Sequence, residues 1–163
     1  LHEAQLQDCV VSRGEGNTHL YEASAIGRPI GVPNLWLKHE GENPTGSFKD
    51  RGMTAGISVA RHLGMKQVAC ASTGNTSASM ASYAARCGMG AIVFIPEGKI
   101  AYGKLSQALA YGAKTIQISG DFDDAMALVQ TLCTEEDIYL SLKFTSWSGG
   151  KQGGFAYERS TPE

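Results

Sequence analysis

The sequence predicts an α/β fold, a mostly parallel sheet with helices on both faces. Short apolar runs bounded by glycine, proline or polar residues alternate with longer segments of helical period along most of the 163 residues. Hydrophobic residues make up 42% of the composition, enough to build a buried core. Strands that alternate with helices imply right-handed crossovers, and these crossovers produce a parallel sheet covered on both sides.

The elements follow in chain order. The predicted strands are NLWLK (34–38), QVACAS (67–72), AIVFI (91–95), KTIQI (114–118) and DIYL (137–140). The predicted helices cover residues 49–63, 76–87, 101–111 and 121–132, and the first three end at Gly64, Gly88 and Gly112. The glycine-dense stretch SGGKQGG (148–154) predicts a loop or linker. In such sheets ligands bind beyond the carboxyl ends of the strands, where loops lead into helices.

Charge and cysteine usage narrow the function classes. The 14 basic and 16 acidic side chains form no run of like charge, so we expect a small-molecule ligand rather than nucleic acid or a membrane surface. The four cysteines are far apart without C-x-x-C spacing, which favours free thiols in a reducing cytoplasm. There is neither a membrane-length apolar run nor a signal-peptide pattern. Since the sequence begins with Leu1, we expect it to derive from a longer or processed product.

The segment STGNTSAS (72–79) follows a predicted strand and opens a helix of small residues. Its hydroxyls and the unpaired backbone N–H groups of a helix N-terminus are suited to binding one anion. The plain alternative is a helix cap followed by serines and alanines that pack against the core. The run of polar and glycine positions is longer than one cap requires, which favours the anion site.

The segment NPTGSFKDRG (43–52) places Lys49 in the first turn of a predicted helix, where the helix dipole disfavours an ammonium group. Partial withdrawal from water beside Phe48 should lower the pKa of Lys49, and a neutral amine attacks aldehydes to form Schiff bases. Asp50 acts in the opposite direction, and a solvated surface lysine is the plain alternative. The nucleotide-binding, nucleophile-elbow and zinc-ligand patterns are not found in the sequence.

Four segments carry a resemblance to a known family. They are GEGNTHL (14–20), LWLKHEGENPTGSFKDRG (35–52), ASTGNTSASMASYAARCGM (71–89) and PEGKIAYGKLSQALAYGAK (96–114). Over about residues 10 to 140 the chain resembles threonine synthase, a pyridoxal-phosphate enzyme of fold type II, related to the tryptophan synthase β chain. The resemblance implies the N-terminal portion of that fold. It also implies an N-terminal part of the large cofactor domain over 1–52, a smaller α/β domain over 53–145 and a return to the large domain over 146–163.

The same resemblance implies roles for individual residues. Lys49 would bind the aldehyde of pyridoxal 5'-phosphate and shuttle protons at the substrate carbons. The cofactor contacts would also include Phe48 and Asn75, the latter at the cofactor 3-oxygen. The substrate contacts would be Ser72, Thr73, Gly74, Thr76 and Ser141. The implied substrate is O-phosphohomoserine, which loses phosphate and gains water to give threonine, and the implied full-length assembly is a homodimer.

The chain departs from the family pattern in three places. His19 stands where the family usually has proline, and Ser146 stands where an arginine grips the substrate phosphate. Because the following GGKQGGFAYE again looks family-like, we expect a short reading-frame error across 143–148, and an uninterrupted frame on resequencing would exclude it. The chain also stops at Glu163, at roughly half the family's length, before the expected glycine-rich loop for the cofactor phosphate.

Two groups of alternatives remain open on the sequence. Threonine or serine dehydratases and cysteine synthases share the fold and a Ser-x-Lys segment, and assay with O-phosphohomoserine against threonine separates them from a threonine synthase. A non-catalytic truncated remnant belongs to a different class. It would fold, or associate with a missing half, without turnover.

Overall fold

A computed structural model describes residues 7–98 and 102–133, together with the backbone of 134–135, 142–147 and 155–159. The strands are β1 (Leu20–Glu22), β2 (Trp36–Lys38), β3 (Gln67–Ala71), β4 (Gly90–Pro96), β5 (Lys114–Ile118), β6 (Leu142–Trp147) and β7 (Phe155–Arg159). The helices are α1 (Ser24–Gly27), α2 (Lys49–His62), α3 (Asn75–Arg86), α4 (Tyr102–Ala110) and α5 (Phe122–Glu135), with 3₁₀ turns at Arg28–Ile30 and Glu40–Glu42.

The centre of the described chain is a parallel sheet in the order β3-β4-β5. Val68 lies opposite Ala91, and Val93 lies opposite Thr115. Because side chains alternate across a strand, Val68 and Cys70 face one side of the sheet and Ala69 and Ala71 face the other. The predicted α/β class is confirmed by this β-α-β-α-β-α succession.

Two apolar clusters cover the two faces of the sheet. The larger cluster joins α2, α3 and α4 to one face through fully buried residues such as Ile57, Tyr83 and Val93. The smaller cluster joins α5 to the other face through Phe94, Val129 and neighbouring residues. Helices therefore lie on both faces, as predicted, and the carboxyl ends of the strands share one edge.

The structure corrects the expected place of the first predicted strand, NLWLK (34–38). Residues 36–38 do not join the parallel sheet but pair antiparallel with β1, with Tyr21 opposite Leu37. This pairing has no local signal, because β1 is three residues long and exposed throughout and therefore lacks the apolar alternation of a half-buried strand.

The carboxyl-terminal predictions have a mixed outcome. The predicted strand 137–140 and the predicted linker 148–154 lie outside the described residues. The structure adds β6 and β7, which pair antiparallel with an irregularity between Phe144 and Ser146. Neither strand was predicted.

Candidate active site

The turn at residues 43–48, here called the lysine turn, leads directly into α2. The Gly46 N–H donates to the Asn43 carbonyl at 2.7 Å, and Gly46 has a φ of 77°, a left-handed conformation that favours glycine. The hydroxyl oxygen of Ser47 then accepts a hydrogen bond from the Lys49 N–H at 3.0 Å. Lys49 is thereby fixed as the first residue of the helix.

The Lys49 side chain is half-buried, and its ammonium nitrogen lies 4.7 Å from the centroid of the Phe48 ring. Burial lowers the pKa of Lys49, in the predicted direction. The structure therefore holds this amine where its neutral form is more accessible than on an open surface.

Asp50 follows Lys49 in the chain, but its carboxylate points into the protein and is completely buried. It accepts hydrogen bonds from the Thr45 N–H at 2.7 Å and the Thr45 hydroxyl at 2.6 Å. The Ser79 hydroxyl of α3 donates a third at 2.5 Å. The side chain that the sequence treated only as a charge next to Lys49 is thus a junction between the lysine turn, α2 and α3.

A second set of contacts holds the outer side of the lysine turn. The buried Asn43 accepts a hydrogen bond from the Gly16 N–H at 2.8 Å and donates to the Glu40 carbonyl at 2.7 Å. Glu40 in turn forms a bidentate pair with Arg51, with both N–O distances at 2.8 Å. The Arg51 hydrogen bond lowers the pKa of Glu40 to about 2. The GEGNT segment and the first turn of α2 therefore share one polar network.

Thr45 is nearly inaccessible to solvent, and each of its polar groups is paired. Its N–H and hydroxyl bind Asp50, while its carbonyl accepts a hydrogen bond from the Lys104 ammonium at 3.0 Å. Lys104 belongs to α4 and also donates to Gln107 at 3.1 Å. A cation from α4 is in this way fixed beside the turn that carries Lys49.

The segment Ser72–Thr76, here called the STGNT loop, runs from the end of β3 into the first two residues of α3. The Ser72 N–H donates to the Phe94 carbonyl at 3.2 Å, which extends the β3–β4 pairing by one residue. The Gly74 N–H donates to the Ser72 hydroxyl oxygen at 3.2 Å. Helix α3 begins at Asn75 without a side-chain cap. Its first backbone N–H groups are directed towards the loop, as an anion site requires.

A cavity of about 680 Å³ opens at the carboxyl ends of the parallel strands. Its described lining consists of Ser72, Thr73, Gly74, Pro96, Glu97, Gly120, Asp121, Phe122 and Asp123. Three of the predicted substrate residues therefore line the same cavity, while Lys49, Phe48, Asn75 and Thr76 are not among the described lining residues. The predicted contact Ser141 lies outside the described residues.

The hydrogen bond between Asp50 and Ser79 relates the lysine turn to the STGNT loop. Ser79 lies four residues after Asn75, which is about one helical turn or 6 Å along the axis. Asp50 is the second residue of α2. The N-termini of the two helices therefore lie side by side, although the cavity lining does not include Lys49.

A comparison with known families decides the class of protein. The family described as "Pyridoxal-phosphate dependent enzyme" matches residues 11–158. The chain belongs to this family. The membership confirms pyridoxal phosphate as the family's cofactor, and it fits a half-buried lysine in the first turn of a helix.

Curated relatives of this pyridoxal-phosphate family member give a finer comparison. The chain is 58% identical over 126 residues to threonine synthase of Methanosarcina acetivorans, a match that covers 77% of this chain and 31% of the relative. It is 56% identical over 131 residues to threonine synthase of Methanocaldococcus jannaschii, covering 80% of this chain and 32% of the relative. The matched part spans about a third of the length of these relatives.

Solved structures of other enzymes support the fold alone. Maize serine racemase superposes with a TM-score of 0.68 at 21% identity, covering 83% of this chain and 41% of that one. Escherichia coli diaminopropionate ammonia lyase in apo form superposes with a TM-score of 0.65 at 19% identity, covering 90% and 46%. These matches confirm fold type II.

Several features of the family member's site were missed from sequence. Asp50 was identified only as a charge, and Thr45, Ser79 and Lys104 were quoted within motifs without a role. An acidic residue in the first turn of a helix was a detectable signal, since such residues often bind the backbone ahead of the helix. The contacts with Ser79 and Lys104 had no local signal because they join distant segments.

In the described part of the chain, no helix is long and apolar enough to span a membrane.

Proposed function

We propose that this chain is the amino-terminal part of a threonine synthase, which converts O-phosphohomoserine and water to threonine and phosphate with pyridoxal phosphate. The observation that carries the proposal is the 58% and 56% identity to curated threonine synthases. The full-length protein acts as a homodimer in the cytoplasm on this proposal. The free thiols of Cys9, Cys70 and Cys87 are consistent with a reducing compartment.

Lys49 is the proposed cofactor-binding and proton-transferring residue. Its half-buried position and lowered pKa favour a neutral amine that can attack the cofactor aldehyde and afterwards move protons. The Phe48 ring centroid lies 4.7 Å from the Lys49 ammonium nitrogen. When bound, pyridoxal phosphate supplies an electron sink for carbanions of the substrate. The protein's part is to hold the amine at the reacting carbons.

The STGNT loop is the proposed anion site for the substrate. Ser72, Thr73 and Gly74 line the cavity, and the uncapped N-terminus of α3 favours negative charge beside them. We propose the same substrate role for Thr76 and Ser141, and we propose Asn75 as a hydrogen-bond donor to the cofactor. The hydroxyl and backbone N–H groups of the loop would bind a carboxylate or phosphate without a cationic side chain in the loop.

The cavity lining also includes acidic residues. Glu97, Asp121 and Asp123 are among them, and a carboxylate repels an anionic substrate. We therefore place the substrate's anionic groups against the STGNT loop and its ammonium group towards these acidic residues. This polarity matches an amino acid that carries phosphate.

We also propose the domain division expected from the family. Residues 1–52 belong to the large cofactor domain, 53–145 form the smaller α/β domain, and 146–163 return to the large domain. The reading-frame error across 143–148 stays a prediction. Dehydratases and cysteine synthases are not favoured, since relatives with 49–58% identity are threonine synthases.

Reductive labelling tests the proposal on this chain. Incubation with pyridoxal phosphate, followed by borohydride and peptide mass spectrometry, should place the label on Lys49 in preference to the exposed Lys66. O-Phosphohomoserine added before reduction should prevent labelling at lower concentrations than threonine or serine does. Lys49→Arg is the matched control that keeps the charge but removes the reactive amine.

Two outcomes would contradict the proposal. Equal labelling of Lys49 and Lys66 would remove the role of Lys49 and leave a non-catalytic remnant as the better description. Stronger protection by threonine than by O-phosphohomoserine would instead favour a dehydratase.

A further inference from the structure

The Asp50 carboxylate has a position that the proposed chemistry does not by itself explain. It is fully buried one residue after Lys49, and its described hydrogen-bond partners are Thr45 in the lysine turn and Ser79 in α3. Burial of a carboxylate costs free energy unless hydrogen-bond donors pair with its oxygens. Here three donors lie within 2.5–2.7 Å, and an ionised carboxylate, which can only accept, matches all of them.

These contacts form a bracket, defined here as Asp50 with Thr45 and Ser79. The Thr45 N–H and hydroxyl tie Asp50 to the backbone ahead of α2, which fixes the direction in which the helix leaves the turn. The Ser79 hydroxyl ties it to the second turn of α3, which begins at the STGNT loop. Consecutive side chains of an α-helix project about 100° apart. Because Asp50 projects into the protein interior, Lys49 projects in a different direction.

We propose that Asp50 is a positioning residue, which holds the lysine turn against α3 so that Lys49 and the STGNT loop face one ligand. This inference rests on the proposed function. It assigns a reason for an acid directly after the reactive lysine: the carboxylate joins the two segments of the site and does not act on the ligand. All three bracket residues are buried: Thr45 is 2% exposed, and Asp50 and Ser79 are 0% exposed. They are therefore inaccessible to a substrate that arrives from solvent.

Paired substitutions at Thr45 test the bracket without removing the carboxylate. Thr45→Val keeps the side-chain shape and deletes the hydroxyl, whereas Thr45→Ser keeps the hydroxyl. Ser79→Ala deletes the contact from α3, and Ser82→Ala is its matched control, because Ser82 is a buried serine on the same helix that accepts from Arg13 instead. Asp50→Asn serves as a further variant wherever it folds.

The readout is the ratio of label on Lys49 to label on Lys66 after treatment with pyridoxal phosphate and borohydride. The ratio should fall about tenfold or more in Thr45→Val and Ser79→Ala, as expected for loss of one hydrogen bond to a charged group. It should be preserved in Thr45→Ser and Ser82→Ala. Circular dichroism at the labelling temperature restricts the comparison to folded chains, so a general loss of stability does not imitate the result.

The outcomes separate this inference from the proposed function. Preferential labelling of Lys49 in the wild type, with equal ratios in Thr45→Val, Thr45→Ser and Ser79→Ala, would overturn the bracket and leave the role of Lys49 intact. Absence of preferential labelling in the wild type would overturn both. A loss in Thr45→Val that Thr45→Ser restores supports the positioning role.

Discussion

Two glycines close to Lys49 should respond in opposite directions to the same substitution. Gly46 lies in the lysine turn with a φ of 77°, and Gly52 lies in α2. A Cβ on Gly46 would come no closer than 3.8 Å to the Gly41 carbonyl and the Lys104 ammonium, which is ordinary contact. A Cβ on Gly52 would meet none of the described atoms within 4 Å. Steric clash is therefore excluded as the cause of either effect.

The expected magnitudes follow from backbone conformation. A left-handed alanine is disfavoured by about 1–2 kcal/mol, and the restricted unfolded chain offsets about 0.4–1 kcal/mol, so Gly46→Ala should lower the free energy of unfolding by about 1 kcal/mol. Alanine is preferred over glycine within a helix by about 0.5–1 kcal/mol, so Gly52→Ala should raise it by that amount. The two variants should differ by about 2 kcal/mol.

Urea unfolding followed by circular dichroism measures both values on one scale. Equal m-values would show that the variants expose the same surface on unfolding, so that the midpoints report stability directly. A neutral Gly46→Ala would refute the assigned left-handed turn. A destabilised Gly52→Ala would refute the open surroundings assigned to that face of α2.

Two further predictions concern ionisable side chains. Burial raises the pKa of the Cys70 thiol to about 12, so at pH 8 an alkylating reagent should modify the half-buried Cys9 well before Cys70, as peptide mass spectrometry can show. Burial tends to raise the pKa of Glu15, but hydrogen bonds from Arg13 and Tyr83 outweigh it and give a pKa of about 2. Because that value lies below the ordinary 4.5, the stabilisation is present above about pH 4.5 and is lost as the pH falls towards 2. Glu15→Gln should remove about 1 kcal/mol of this acid dependence in urea titrations, after allowance for solvent screening. Equal modification of both thiols, or an unchanged acid dependence in Glu15→Gln, would contradict these assignments.

The parallel sheet and its helices were predictable because their signals are local. Strands β3 and β4 are apolar runs, β5 alternates polar and apolar residues, and glycines end the helices between them, so the predicted and observed boundaries differ by a few residues. Strand β1 was not predictable, because its three exposed residues carry no periodic pattern and its pairing with β2 is decided elsewhere in the chain. Local patterns report burial, whereas pairing between exposed segments depends on long-range contacts.

The candidate site likewise has features that were predictable from the sequence and features that were not. The sequence by itself determined the chemistry available at Lys49 and the STGNT loop, because residue type and position at a helix N-terminus set charge and donor groups directly. Only the tertiary structure decided that Asp50 turns inward to Thr45 and Ser79, that Lys104 comes from α4 to Thr45, and that three acidic residues line the same cavity as the loop. These contacts join residues far apart in the chain, so their geometry follows from packing of the helices against the sheet.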